Sequence, residues 1–417
     1  MAPEKGTGNS EQSAAFLRQL PAVDKLLGDE RLVDVLGGLH IRLAKRVIRE
    51  YLDDVRQRIL QGEEVRFDID ELKERLLLNR RPSLVRAINA LGVVLHTGLG
   101  RAPLPGVAQQ ALIEVSEHFS SLEINLSDGR RGNRYRHVET LLCELTGAEA
   151  AMVVNNNCAA TLLILSTTAR GKEVIVSRGQ LIEIGGSFRI PDVMLQSGCR
   201  MVEVGTTNRT HLRDYENAVT PDTAAILRVH TSNYRIIGFT KEVSLPELVA
   251  LGRRYNVPVI DDLGSGALID LSGYGLPKEP VVAESIAAGA DVVCFSGDKL
   301  IGAGQAGIIV GRRHLIERMK KNPLTRALRV DKLTYAVLER TLELFLDEER
   351  VIKEHPLFRI LFKSLTEMEK QAEELLQLVR EKVGERARFS VRPAKAEVGG
   401  GSLATETMES RVVAVKP

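Results

Sequence analysis

The chain reads as an α/β protein. A mainly parallel sheet is expected in its middle, with a small helical N-terminal domain and a small α+β C-terminal domain. Three observations predict this. Between about residues 85 and 330, short Val/Ile-rich runs alternate with helical stretches, the pattern of parallel strands buried between helices. Before that region, apolar residues recur at helical spacing without such runs. After about residue 331 the helical pattern returns, and the chain closes on two strand-like segments around a glycine-rich turn.

Taken in order, residues 1–12 read as disordered. In the helical stretch that follows, Leu39, Leu43 and Val47 recur at four-residue spacing, and Ile48, Leu52, Val55 and Ile59 continue a neighbouring stripe. Arg42, Lys45, Arg46 and Arg49 lie off that stripe, as a solvated face or as a surface for a phosphate backbone. The expected strands are AAMVVNN (150–156), EVIVSRG (173–179), AAILRVHTS (224–232), VPVIDDLGSG (257–266), ADVVCFSGDK (290–299) and AGIIVG (306–311). Leu338, Leu342 and Phe345 mark a later helix, and Pro356 interrupts the helical pattern. FSVRPAKAEVGGGSLATETMESRVVAVKP then suggests strand, turn and strand. The domains expected are 1–70, 71–330 and 331–417.

With 417 residues, 44% of them apolar and 27% charged, the composition is that of a globular protein with a sizeable core. No apolar run is long enough to span a bilayer, and the start MAPEKGTGNSEQ is unlike a signal peptide, so a cytoplasmic location is expected. Cys143, Cys158, Cys199 and Cys294 are scattered without a C-x-x-C pair. They are expected to be reduced thiols, with no zinc site or disulfide framework. A net charge of +2 neither demands nor excludes a nucleic-acid partner.

The chemistry is concentrated in FSGDKLIGAG, where Lys299 follows an expected core strand. Burial there would lower its pKa and favour a nucleophilic amine, as Schiff-base lysines require. Ser296, three residues earlier, adds a hydroxyl that could reach a cofactor phosphate. Upstream, a strand runs into Asp261 and Asp262. A carboxylate at a strand end can pair with the protonated ring nitrogen of pyridoxal phosphate (PLP), which acts as an electron sink. Alternation along the strand allows only one of the two to face the cofactor, and Asp262 is the choice; a turn aspartate is the structural alternative.

At another strand end, Ser232 or Asn233 could donate to the cofactor's phenolic oxygen, and His230 could lie against its ring or serve structure alone. VVNNNCAATLLIL leads from a strand into a helix and places Asn155, Asn156, Asn157 and Cys158 at the helix N-terminus, where backbone N–H groups favour a phosphate. Cys158 is either a thiol of lowered pKa or a small residue fitting a tight turn. The order helix-terminus anion site, Asp, Ser-x-x-Lys fits the large PLP-enzyme fold (fold type I).

Arginines form a second group. Arg101 lies in a Gly/Pro-bounded loop, Arg326 and Arg329 would share a helix face at i, i+3, and GRRGNRYRHVE adds Arg130, Arg131, Arg134 and Arg136. Guanidinium forks suit tetrahedral oxyanions. Arg130 and Arg131 read as ordinary surface arginines.

From LPAVDKLL (20–27) to VGGGSL (398–403) the chain resembles the bacterial L-seryl-tRNA(Sec) selenium transferases, the selenocysteine synthases. The segments that carry the resemblance are INALGVVLHTGLGRAPL, GRRGNRYRHVE, VSRGQLIEIGGSFRIPDVM, EVGTTNRTHLRDY, VHTSNYRIIGFT, DDLGSGAL and FSGDKLIGAGQAGIIVG. It implies that Lys299 holds PLP covalently and that Asp298 assists beside it. It implies that Arg101, Arg326 and Arg329 clamp the selenium donor, and that Thr206, Thr207 and Asp214 belong to another active-site segment. The implied reaction converts seryl-tRNA(Sec) to selenocysteinyl-tRNA(Sec) with selenophosphate, through a PLP-bound aminoacrylyl-tRNA. The implied assembly is a homo-oligomer of dimers, a decamer in some members, with an N-terminal domain that grips tRNA.

The chain departs from the family pattern at Leu91, at Gly98 and in the turn Gly302-Ala303-Gly304-Gln305, none of which removes a charged group. Members typically continue past the GGGS segment with further strands, so either the C-terminal domain is reduced or the chain is truncated. Two other readings fit parts of the pattern: a PLP-dependent lyase acting on a small amino acid or amino sugar acid without tRNA, and a tRNA-binding protein without catalysis.

Overall fold

The computed structural model describes residues 14–80, 82–186 and 188–416. The disorder expected for residues 1–12 lies outside the described residues. The chain forms two compact units, Met1–Ile88 and Asn89–Pro417.

In the first unit, helix α1 (Ile41–Leu60) buries Val47, Ile48, Leu52, Val55 and Ile59, the face its apolar spacing predicts. Helix α2 (Ile69–Arg80) adds Leu72 and Leu76 to the same core. Neither helix can bury its apolar face alone, so this unit extends through α2, beyond the boundary expected at residue 70. Tyr51, fully buried, ties the two helices: its hydroxyl donates to the Asp68 carbonyl and accepts from the Asp68 N–H, both at 2.9 Å.

The second unit is built on a seven-stranded sheet ordered β1-β9-β8-β7-β6-β2-β5. Its strands are β1 (Ala150–Val154), β2 (Glu173–Ser177), β5 (Arg200–Val204), β6 (Thr223–Val229), β7 (Val259–Gly264), β8 (Val292–Ser296) and β9 (Gly307–Gly311). A two-stranded ribbon, β3 (Glu183–Ile184) and β4 (Phe188–Arg189), stands apart from it. β9 runs antiparallel to both its neighbours and the other pairs are parallel, so six strands end at one edge. Their buried, Val/Ile-rich character is what helices on both faces demand. At that edge the turns after β1, β6, β7 and β8 carry the polar residues singled out above, as ligand sites of open parallel sheets do.

The C-terminal region belongs to the same unit. The helix Lys332–Leu344 buries Leu338 and Leu342, and Phe345 caps its end. Pro356 opens a short helix, Pro356–Leu361, at a position where its missing N–H costs nothing. The final hairpin pairs β10 (Arg388–Gly399) with β11 (Ser402–Lys416). Its turn end is tied to the segment before Arg101: Val94 N–H donates to the Glu397 carbonyl at 2.9 Å and Leu95 N–H to Val398 at 2.8 Å. Among the described residues, no helix is long and apolar enough to cross a membrane, and no cluster of His, Cys, Asp and Glu could hold a metal ion. The four cysteines are free.

Candidate active site

Lys299 lies three residues past the end of β8, where the chain turns back through Gly297 toward β9. It is only 7% exposed. Among the described residues its Nζ has no hydrogen-bond partner. Burial pushes the amine below the ordinary lysine range, and the Arg101 guanidinium pushes the same way, while Asp262, Asp298 and Glu279 oppose both. The group is therefore held toward the neutral, nucleophilic amine.

Arg101 and Asp298 form an ion pair at this amine, Nη1 to Oδ2 at 3.2 Å, both largely buried. Arg101 sits at φ 64°, a left-handed conformation an arginine adopts only when its surroundings dictate it.

The two aspartates of β7 point to opposite faces. Asp261 receives Arg228 Nη1 at 2.7 Å and Ser285 Oγ at 2.7 Å, and is fully accounted for as a buried structural carboxylate. Asp262, 3% exposed, receives Asn157 Nδ2 at 2.7 Å and Thr161 Oγ1 at 3.0 Å. Burial pushes its carboxyl up, and the bonds from Asn157 and Thr161 and the charge of Lys299 pull it down. A buried carboxylate held by neutral donors lacks a full counter-charge, so the site fits a cationic ring nitrogen. Thr161 was not picked out in the sequence, because a threonine one helical turn inside an apolar run carries no local signal.

Asn156 caps helix α3 (Asn157–Thr168), and its side chain accepts from Ala159 N–H at 2.9 Å. Asn155 Oδ1 and Asn157 Oδ1 are buried there without a protein partner among the described residues. Unpaired buried polar atoms at a helix N-terminus are what a bound polar group would satisfy. Cys158 also lies here, but burial and the nearby Asp262 charge push its thiol up, against the lowered pKa weighed above. Ser296 is the buried last residue of β8. A Cβ placed on Gly264 would meet Ser232 Oγ at 3.4 Å and Lys299 Nζ at 4.0 Å, so both atoms converge on one glycine.

Glu279 was also missed. It is buried, and its Oε1 lies 3.4 Å from His230 Nε2. Only the folded chain joins the turn after β6 to this proline-flanked loop. Thr206 and Asp214 are used locally: the Thr206 hydroxyl donates to the Arg209 carbonyl at 3.0 Å, and the Asp214 carboxylate accepts from His211 N–H at 2.8 Å.

Arg326 and Arg329 lie elsewhere. They line a cavity of about 310 Å³ together with Arg131, Arg134, Lys320 and Glu123. Arg101 and Lys299 are not among its lining residues. The shared helix face does not form: α4 (Leu324–Leu328) ends one residue early, and Arg329 is extended at φ −70°, ψ 146°. The Leu328 carbonyl accepts instead from Asn155 N–H at 2.9 Å, which joins this segment to the turn before α3. Arg131 lines this cationic cavity while also pairing with Glu123 at 2.9 Å.

Residues 87–417 match the family model described as SelA, L-seryl-tRNA selenium transferase. The L-seryl-tRNA(Sec) selenium transferase of Moorella thermoacetica is 52% identical over 411 residues, 97% of this chain and 87% of that protein. That of Nitratidesulfovibrio vulgaris is 50% identical over 420 residues, 96% of this chain and 88% of that protein. That of Alkaliphilus oremlandii is 48% identical over 408 residues, 95% and 87% respectively. Among solved structures, D-glucosaminate-6-phosphate ammonia-lyase superposes with a TM-score of 0.54 at 19% identity, over 78% of this chain and 79% of that one, a likeness of fold. A family model that spans the sheet-containing unit, and relatives aligned nearly from end to end, place the chain in the L-seryl-tRNA selenium transferase family.

Proposed function

We propose that this chain converts L-seryl-tRNA(Sec) to L-selenocysteinyl-tRNA(Sec), with selenophosphate as selenium donor and PLP as cofactor. The observation that carries the reading is the buried Lys299 amine, its pKa lowered by burial, within electrostatic reach of Asp262 and beside the Arg101–Asp298 pair. Membership of the family favours it over a lyase that acts without tRNA.

Lys299 would anchor the cofactor through Nζ, Asp262 would hold its ring nitrogen protonated, and Ser232 would donate to its phenolic oxygen. The α3 N-terminus at Asn156, Asn157 and Cys158, with Ser296, would take its phosphate. Bound there, PLP supplies the electron sink that makes the seryl α-proton acidic. The remaining work falls to the chain. Lys299 Nζ takes the proton from the seryl Cα. The Lys299 ammonium so formed passes that proton to the departing β-hydroxyl, which leaves as water, and Asp298, held in place by Arg101, assists the transfer. Arg101, Arg326 and Arg329 bind the donor's oxyanion, since a site lined by guanidinium groups favours a small tetrahedral anion.

Within one chain, the Arg326–Arg329 cavity and Lys299 are lined by different residues. We read the working form as a homo-oligomer of dimers that completes the clamp. A reaction on charged tRNA places it in the cytoplasm.

The test is conversion of seryl-tRNA(Sec) by the purified protein with and without selenophosphate. Dehydration alone is expected without the donor and selenocysteinyl-tRNA with it. Arg326→Ala is expected to impair selenium addition more than dehydration. A cofactor-loaded protein that leaves seryl-tRNA(Sec) untouched overturns the function, and equal loss in both half-reactions removes Arg326 from the clamp.

A further inference from the structure

The turn between β10 and β11 passes directly over the Lys299 amine. Its three glycines, Gly399, Gly400 and Gly401, all have positive φ, at 75°, 67° and 71°. Their surroundings differ. A Cβ on Gly399 would strike Val93 Cγ1 at 2.2 Å, and one on Gly400 would meet Leu95 Cβ and its carbonyl oxygen at 3.0 Å. These two glycines seat the hairpin on the segment before Arg101. A Cβ on Gly401 would instead meet Ile184 Cδ1 at 2.5 Å, Lys299 Nζ at 3.5 Å and Asn233 Cβ at 3.8 Å. Gly401 therefore faces the space beside the reactive nitrogen.

Two residues that border that space carry unpaired polar atoms. Ser402 Oγ and Asn233 Oδ1 are buried without a hydrogen-bond partner among the described residues, and Ser402 is only 1% exposed. Asn233 is fixed by its Nδ2, which donates to the Glu183 carbonyl at 2.8 Å, so its oxygen is held rather than free to turn away. Buried orphan acceptors are costly unless something binds to them.

We propose that Gly401 and Ile184 form the wall that sets the size of the aminoacyl group this enzyme accepts, admitting a β-carbon bearing only a hydroxyl and rejecting one that carries an added methyl. The inference rests on the functional reading above. A lysine that moves the α-proton must sit against Cα, so substituents on that carbon lie within a bond or two of Nζ. The neighbour on that side is a residue with no side chain, closed from behind by an isoleucine. A pocket that discriminates by one carbon does so through such contacts, and one misplaced methyl in a close-fitting site changes rates by about tenfold or more.

The test compares full-length Gly401→Ala, Gly400→Ala and Ile184→Ala. The first two impose the same backbone strain and add the same methyl, but only one places it at Nζ. Ile184→Ala widens the space with no demand on φ. The first readout needs neither tRNA nor cofactor. It is the ratio of Lys299 modification by formaldehyde to that by propionaldehyde under reducing conditions in the cofactor-free protein, followed by peptide mass. The second is kcat/KM for seryl-tRNA(Sec) against threonyl-tRNA(Sec) in the loaded enzyme.

Gly401→Ala is expected to disfavour propionaldehyde by about tenfold beyond any effect of Gly400→Ala. Ile184→Ala is expected to shift the ratio the other way and to raise threonyl-tRNA(Sec) turnover. The wall is overturned if Gly400→Ala and Gly401→Ala behave alike, or if Ile184→Ala leaves both ratios unchanged. If the wild-type protein fails on seryl-tRNA(Sec) while the aldehyde ratios move as expected, the functional reading falls and the wall stands.

Discussion

At Lys299, two opposite charges act on one amine, and that gives a measurable signature. Burial and Arg101 lower its pKa, whereas Asp298 raises it. Replacing Arg101 by Met should move the midpoint of Lys299 reactivity up, toward that of a free lysine. Asp298→Asn, which leaves Arg101 unpaired, should move it further down. The measurement is the pH dependence of Lys299 methylation in the cofactor-free protein, with Lys299→Ala as the blank. Shifts in the same direction for both variants would refute the opposing roles. The linkage has a definite sign. The folded-state pKa lies below the unfolded one, so the unfolded chain binds more protons in that window and stability rises with pH across it.

Among the elements, the short helix that begins at Pro356 supports the turn after Lys299 through its cap. His355 is fully buried; its Nδ1 accepts from Leu357 N–H at 3.1 Å, and its ring packs on Gly302. Burial lowers its pKa from 6.5 to about 4, and the carbonyls of Ile301 and Gly302 offset this only in part. Below pH 6.5 the unfolded state takes up a proton that the folded state refuses, so stability falls as the pH drops toward 4. The loss is at most about 3 kcal/mol. His355→Asn keeps a cap acceptor but does not titrate, so its urea midpoint should change less between pH 7 and 4.5 than that of the wild type. Equal slopes would show that His355 plays no part. Six strands were legible because a strand buried on both faces must be an apolar run. β5 was not, since Arg200 and Glu203 interrupt it at the sheet edge, where one side of the strand meets solvent. The burial of Lys299 and Asp262 was legible because each stands at or just past the end of such a run. Thr161, Glu279 and the place of Gly401 were not, because each matters only through a partner distant in sequence.

For the molecule as a whole, a net charge of +2 gives no global attraction to tRNA, so any grip must come from a local face. On α1 the candidates are not equal. Lys45 lies 3.5 Å from Asp24 and Arg46 lies 3.7 Å from Glu50, whereas Arg42 and Arg49 are exposed and have no ion pair among the described residues. A cation already paired must give up that partner to meet a phosphate, so Arg42 and Arg49 should carry the larger share of a tRNA interface. Substituting both by Gln should weaken tRNA(Sec) binding and flatten its salt dependence by roughly one unit of log–log slope for each phosphate no longer neutralised. Cofactor absorbance and Lys299 reactivity should stay as they were, because α1 belongs to the unit that does not contain the lysine. The same pair of changes at Lys45 and Arg46 should cost less. A gel-shift titration across salt concentrations decides the matter. Unchanged slopes in the Arg42/Arg49 variant would move the tRNA-binding surface off this helix, and a loss of cofactor absorbance would show that the substitutions disturb more than a surface.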